Sequence, residues 1–162
     1  MGGLADRMNS AVEVLGFANL FLGGILAGEE LVIYYGVRTP LAGLEERPQT
    51  LLRQALIRRL RVLMPAIFVP TIFLGAAVTA VDGFGPGFVF RSVGVLALLT
   101  WAVVTIPGTA AINAAILDWD PSAPPKNWRT MVSRWERFAA VRPWAAMVAF
   151  AMFLTAMAVS FG

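Results

Sequence analysis

The chain has no histidine and no cysteine, a single lysine, and only 14% charged residues. The two missing residue types exclude disulfides, Cys-based zinc and iron–sulfur sites, and His-ligated haem, copper or zinc. They also exclude every Ser-His or Cys-His catalytic pair. No metal site and no cofactor is expected, and any chemistry falls to carboxylates, Arg, Tyr, Asn, Thr or Trp. The shortage of charge excludes something broader. An ordinary soluble domain is about 25% charged. A chain of 162 residues that is 58% hydrophobic, with mean hydropathy +0.71, has too little polar surface to stay in solution. The composition therefore implies an integral membrane protein. The basic pI of 10.2 comes almost wholly from arginine. Those arginines flank apolar segments rather than interleaving with exposed aromatics, so nucleic acid is not an expected partner. The Arg-over-Lys bias suits a GC-rich bacterial genome, hence a bacterial inner membrane.

Four apolar stretches stand out, at about 11–37, 60–81, 92–117 and 143–161. Each is near or above the roughly 20 residues that cross a ~30 Å hydrocarbon core at 1.5 Å per residue. The first is too long and too Gly-rich for a cleavable signal peptide and is read as a retained helix. The loops orient the bundle. Arg38, Arg47, Arg53, Arg58, Arg59 and Arg61 precede or open the second span, and Lys126, Arg129, Arg134, Arg137 and Arg142 precede or open the fourth. Only Arg7 and Arg91 fall on the other side, so the positive-inside rule places both basic loops in the cytoplasm and both termini outside. The expected architecture is all-α: one integral membrane domain over 1–162, a four-transmembrane-helix bundle. Two connections are amphipathic. Pro48–Leu63 leads into the second span with Leu52, Ala55, Leu56, Leu60 and Leu63 opposite the arginines. A second amphipathic helix starts near Asn127, between helices 3 and 4, with Trp128, Trp135 and Phe138 on its apolar side; its expected place is the bilayer interface, capping the bundle.

Polar groups within the spans carry the functional information, because they are expensive there. At about 100° per residue, Gly16, Asn19, Gly23, Ala27, Glu30 and Tyr34 share one sector of the first helix. Small residues admit a neighbouring helix, so Asn19 and Glu30 are expected to point into the bundle. Glu29 falls about 100° away, towards the interface or a second helix. Glu30 is either functional or paired with Arg134, Arg137 or Arg142, which approach from the same side. In the third span Trp101, Thr105, Thr109 and Asn113 recur at i+4 around Pro107. The bland readings are that the threonines bond their own backbone and that Asn113 caps the helix. The methionines of the fourth span step by five and make no metal-binding stripe. Trp119, Trp128, Trp135 and Trp144 fit an aromatic belt.

Three stretches carry a resemblance: Gly24-Ile-Leu-Ala-Gly-Glu-Glu-Leu, Thr105-Ile-Pro-Gly-Thr-Ala-Ala-Ile-Asn113 running on to Trp119-Asp-Pro, and Asn127-Trp128 followed by Arg134-Trp135-Glu136-Arg137-Phe138 and Val141-Arg142. With these the chain resembles the anthrone oxygenase-like family of small four-helix integral membrane proteins, long carried as a domain of unknown function. The resemblance implies oxidation of a hydrophobic aromatic or quinone-like substrate by molecular oxygen without a classical cofactor. Members often carry a His after the Arg-Trp pair, where this chain has Phe138-Ala139-Ala140. On that reading Glu30 is the base that removes a proton from an acidic methylene, and Asn113, an Arg or Tyr34 stabilises the oxyanion. Trp101 and Trp135 stack on a flat ring, with Thr105, Thr109, Arg134 and Arg142 as further substrate contacts. The site is expected in the cytoplasmic half, between helices 1 and 3. Two other readings stand beside it. One is a non-catalytic accessory or assembly subunit of a larger membrane complex, bound through helix 4, and needing no pocket. The other is a small-molecule or lipid-binding or permeation protein, with a homo-oligomer supplying a lumen.

Overall fold

A computed structural model describes the backbone of residues 2–161 and the side chains of 10–160. Arg7 lies outside the described side chains. The chain is all-helical, with no strand among the described residues. Four rods, Ser10–Ala42, Glu46–Asp82, Phe88–Leu117 and Trp128–Ser160, are long and apolar enough to span a membrane. In the first three only 22% of the most apolar window is buried, so most of each apolar surface faces outward, where lipid suits it and water does not. Phe21, Phe73, Val103 and Ile106 are among the outward-facing side chains.

The first rod is α1 (Gly2–Leu31), a π-helical turn (Val32–Val37) and α2 (Arg38–Ala42); the second is α3 (Glu46–Asp82). The third is α4 (Phe88–Val104), a second π turn (Thr105–Ala110) and α5 (Ala111–Leu117). The fourth is α6 (Trp128–Ala139) and α7 (Val141–Phe161), parted only at Ala140. Pro107 accounts for the second π turn. It has no N–H to give to the preceding turn, and the ladder widens there. The hydroxyls of Thr105 and Thr109 donate to the carbonyls of Trp101 and Thr105 at 2.7 and 3.0 Å. Gly83, at φ +58°, starts the turn from α3 to α4, a conformation that side chains resist. Arg91 closes that turn by binding Asp82 and Ser160.

The rods form a ring in chain order: α1 packs on α3 and α7, and α4 packs on α7 and on α3. Leu26, Leu98, Trp101, Ala146, Ala149 and Phe153 form the centre. The Phe153 ring occupies the space that side chains on Gly75 and Gly94 would need; a Cβ at Gly94 would lie 2.6 Å from Phe153 Cε1. Small residues here bring backbones together, as membrane helices require. The α3–α4 seam is the loosest of the four, and it opens at the end of the bundle that carries the arginines.

The lead-in of α3 is turned differently from a helix lying on a core. Gln49, Thr50, Arg53 and Gln54 are buried, while Leu51, Leu52 and Leu63 are exposed. Polar groups here find partners inside the bundle, Leu51, Leu52 and Leu63 face outward, and Leu56 and Leu60 are half-buried. Gln54 Nε2 donates to the carbonyls of Ile116 and Trp119, both at 2.9 Å, capping the C-terminus of α5. Helix α6 packs against the second π turn and α7, with Phe138 lying over Gly108. Glu136 of α6 holds two arginines, Arg38 at 3.2 Å and Arg53 at 3.4 Å.

Candidate functional site

Glu30 is buried and held by partners from two other helices. It is 3% exposed, and its Oε1 accepts from the Trp101 indole N–H at 2.8 Å, from Arg142 Nε at 3.0 Å and from Arg142 Nη2. The Arg142 guanidinium lies 4.9 Å from the Trp101 ring centroid, and Phe68 stacks on the same indole at 4.4 Å. The small-residue face of α1 does point inward, with Asn19, Gly23, Ala27 and Glu30 all buried. What it meets at Glu30 is an arginine and an indole from α7 and α4, not open space. A carboxylate oxygen already accepting three donors is poorly placed to take a substrate proton. Of the three arginines expected as partners, Arg142 fills the place; Arg134 is exposed beside Phe138 and Arg137 is exposed.

The open space lies next door. A cavity of about 520 Å³ occupies the α3–α4 seam at the arginine-bearing end. Its walls are mainly apolar, from Leu56 to Val69 on α3 and from Trp101 to Leu117 on the third rod. Its polar members are Glu29, Arg38, Arg53, Arg61, Thr105, Asn113, Trp135 and Arg142. Four of them each carry a buried polar atom with no hydrogen-bond partner: Glu29 Oε2, Arg53 Nε, Asn113 Oδ1 and Trp135 Nε1. Only one other such atom occurs among the described residues, Asn19 Oδ1. Buried polar atoms are ordinarily paired, and each exception asks for an explanation. Here two acceptors (Glu29, Asn113) and two donors (Arg53, Trp135) converge on one apolar space. That is the usual composition of a small-molecule site.

Of the expected site residues, Asn113, Trp101, Thr105, Trp135 and Arg142 line this cavity, and Glu30, Tyr34, Thr109 and Arg134 do not. Asn113 sits inside α5 rather than at its cap. Trp101 contributes a wall, but its N–H is taken by Glu30. Thr109 is fully buried on its own backbone. Tyr34 lies under the Arg38 guanidinium, 5.1 Å away, and edge-on to Tyr35 at 4.8 Å. The stripe of the first rod that reaches the cavity is Glu29, Ile33 and Val37, one residue offset from the stripe of Glu30 and Tyr34. The space is thus walled by the first, second and third rods, with α3 contributing a wall that the expected site between helices 1 and 3 did not include.

Sequence reasoning missed Glu29 and Arg53. Adjacent carboxylates at positions 29 and 30 cannot share a helix face, so if one is consumed by packing the other must face elsewhere. Arg53 belongs to the run Gln49, Thr50, Arg53, Gln54, whose i, i+4 polar spacing marks an inward face. Its guanidinium lies 5.5 Å from the Trp135 ring and is held by Glu136, leaving Nε free. No family model, no curated protein and no solved structure matches the chain, so the site rests on its own geometry.

Proposed function

We propose that this chain is a bacterial inner-membrane protein that binds a hydrophobic aromatic or quinone-like small molecule in the α3–α4 cavity and oxidises it, as its resemblance to anthrone oxygenases implies. The excess of arginine around that end supports a cytoplasmic position for it, with both termini outside and α6 at the interface. The observation that carries the reading is the apolar cavity of about 520 Å³ whose four unpartnered polar atoms complement an oxygen-bearing ring system. An accessory subunit would need no such space.

Glu29, not Glu30, is the base. Its Oε2 has no donor, so it accepts the proton of an acidic C–H or O–H on the ligand. The resulting carbanion and molecular oxygen combine to a peroxide, which takes back the proton from Glu29 as a hydroperoxide and then loses water, so that the methylene and one O2 give a carbonyl and water. Arg53 Nε and Trp135 Nε1 supply N–H groups to the ligand oxygen on which negative charge develops, and Asn113 Oδ1 accepts from a ligand hydroxyl. Arg142 and Trp101 act through Glu30, holding α1 so that Glu29 faces the cavity.

The test is oxygen consumption by the purified protein in nanodiscs with an anthrone-like phenol. Glu29→Gln should lower turnover by about 10²-fold or more, the contribution of a positioned general base. Turnover equal to the parent's would remove Glu29 from the mechanism. Failure of planar phenols to change Trp fluorescence in the parent would sink the cavity as their site.

A further inference from the structure

A second cleft lies at the opposite end of the bundle, between α1, α3, α4 and α7, with a volume of about 240 Å³. It runs from the exposed Glu13 and Ser160 to the buried Asn19, past Gly16, Gly75, Asp82, Arg91 and Met157. Asn19 is 4% exposed, and its Oδ1 has no partner. That oxygen lies 3.4 Å from where a Cβ on Gly75 would stand, so the absence of a side chain at Gly75 leaves space beside it.

The charges of the cleft do not cancel. Arg91 is committed to Asp82 and Ser160, whereas Glu13 has no ion pair among the described residues. The groups left without partners are thus a carboxylate and an amide oxygen, both acceptors. An occupant that pairs both groups brings positive charge or hydrogen-bond donors, and the volume suits something smaller than the usual ~300–1,000 Å³ ligand site. We propose that this cleft is a binding site for a small monovalent cation, which Asn19 Oδ1 holds at the bottom and the Glu13 carboxylate attracts from the mouth. It stands apart from the oxidation site in both place and chemistry.

The experiment titrates the full chain in nanodiscs with sodium, potassium and methylammonium chloride, following heat and thermal stability. N-methyl-D-glucamine chloride, too bulky for the cleft, keeps the ionic strength constant. At least one of the three cations should bind saturably, and preference between the alkali ions and methylammonium tells a bare ion from an N–H donor. Asn19→Leu and Glu13→Gln should each weaken that binding by about tenfold or more, the effect of losing one hydrogen bond or contact to a charge. Glu29→Gln, in the other cavity, should leave it unchanged. Glu13 is exposed, so Glu13→Gln decides the matter if Asn19→Leu does not fold. The proposal is overturned if none of the three cations binds saturably, the cleft then holding water alone. It is equally overturned if Glu13→Gln binds as the parent does, or if Glu29→Gln abolishes binding.

Discussion

Replacing Arg142 by leucine tests the division of labour between the two neighbouring glutamates. Arg142 gives Glu30 two of its three hydrogen bonds, and the side chains of the pair are 12% and 4% exposed. Removing one partner of a buried ion pair costs about 3–5 kcal/mol, because the remaining charge is left uncompensated. Polar contacts between membrane helices are worth less than in water, averaging about 0.6 kcal/mol, since the separated helices also find partners. The lower end, about 3 kcal/mol, is therefore expected for Arg142→Leu, a roughly hundredfold shift in the folding equilibrium. The double variant Glu30→Leu/Arg142→Leu removes both charges and should regain most of the loss, since apolar replacement of a buried pair is often neutral. Unfolding by SDS titration, followed by Trp fluorescence, measures all three proteins. The reasoning fails if Arg142→Leu lies within about 1 kcal/mol of the parent, or if the double variant is as unstable as the single one. The same logic separates the carboxylates functionally. Glu30→Gln should lower stability and retain turnover where it stays folded, and Glu29→Gln should do the reverse.

Three further expectations follow from packing and capping. Gly94→Ala pushes a methyl into the Phe153 ring and should cost about 1–3 kcal/mol by overpacking; adding Phe153→Leu should relieve part of it in the same SDS titration. Gln54→Leu strips the caps from the Ile116 and Trp119 carbonyls and should cost about 1–3 kcal/mol, with faster amide exchange in α5 as the local signature. Pro107→Ala restores a backbone N–H and should tighten the second π turn towards an α-helix. Residues beyond it then rotate by roughly 100° relative to Trp101, and planar-phenol binding, read by Trp fluorescence, should weaken as Asn113 leaves the cavity.

Much of the architecture is legible without a structure, for a physical reason. A segment that crosses lipid must satisfy its backbone within itself and present apolar side chains over about 20 residues, and both demands are local. Rod number, the all-α class and the inward face of Asn19 and Glu30 follow from hydropathy and from the small residues beside those two. The turn of the α3 lead-in was less legible. A leucine stripe there looks core-facing by the rules of soluble helices, yet its two ends, Leu52 and Leu63, face outward while Gln49, Thr50, Arg53 and Gln54 face in, and only Leu56 and Leu60 turn to the cavity.

The choice between Glu29 and Glu30 belongs to the tertiary structure alone. From position in α1 the two differ by about 100° and nothing else. Which one is consumed depends on Trp101 and Arg142, 71 and 112 residues away in the chain, arriving on the same side of α1. Their arrival in turn depends on how closely glycines and alanines let α1, α4 and α7 approach. The absence of histidine and cysteine excluded most catalytic chemistries at the outset and left any chemistry to carboxylates, Arg, Tyr, Asn, Thr or Trp. Long-range packing then left one carboxylate free, because an ion pair forms only where two distant side chains meet.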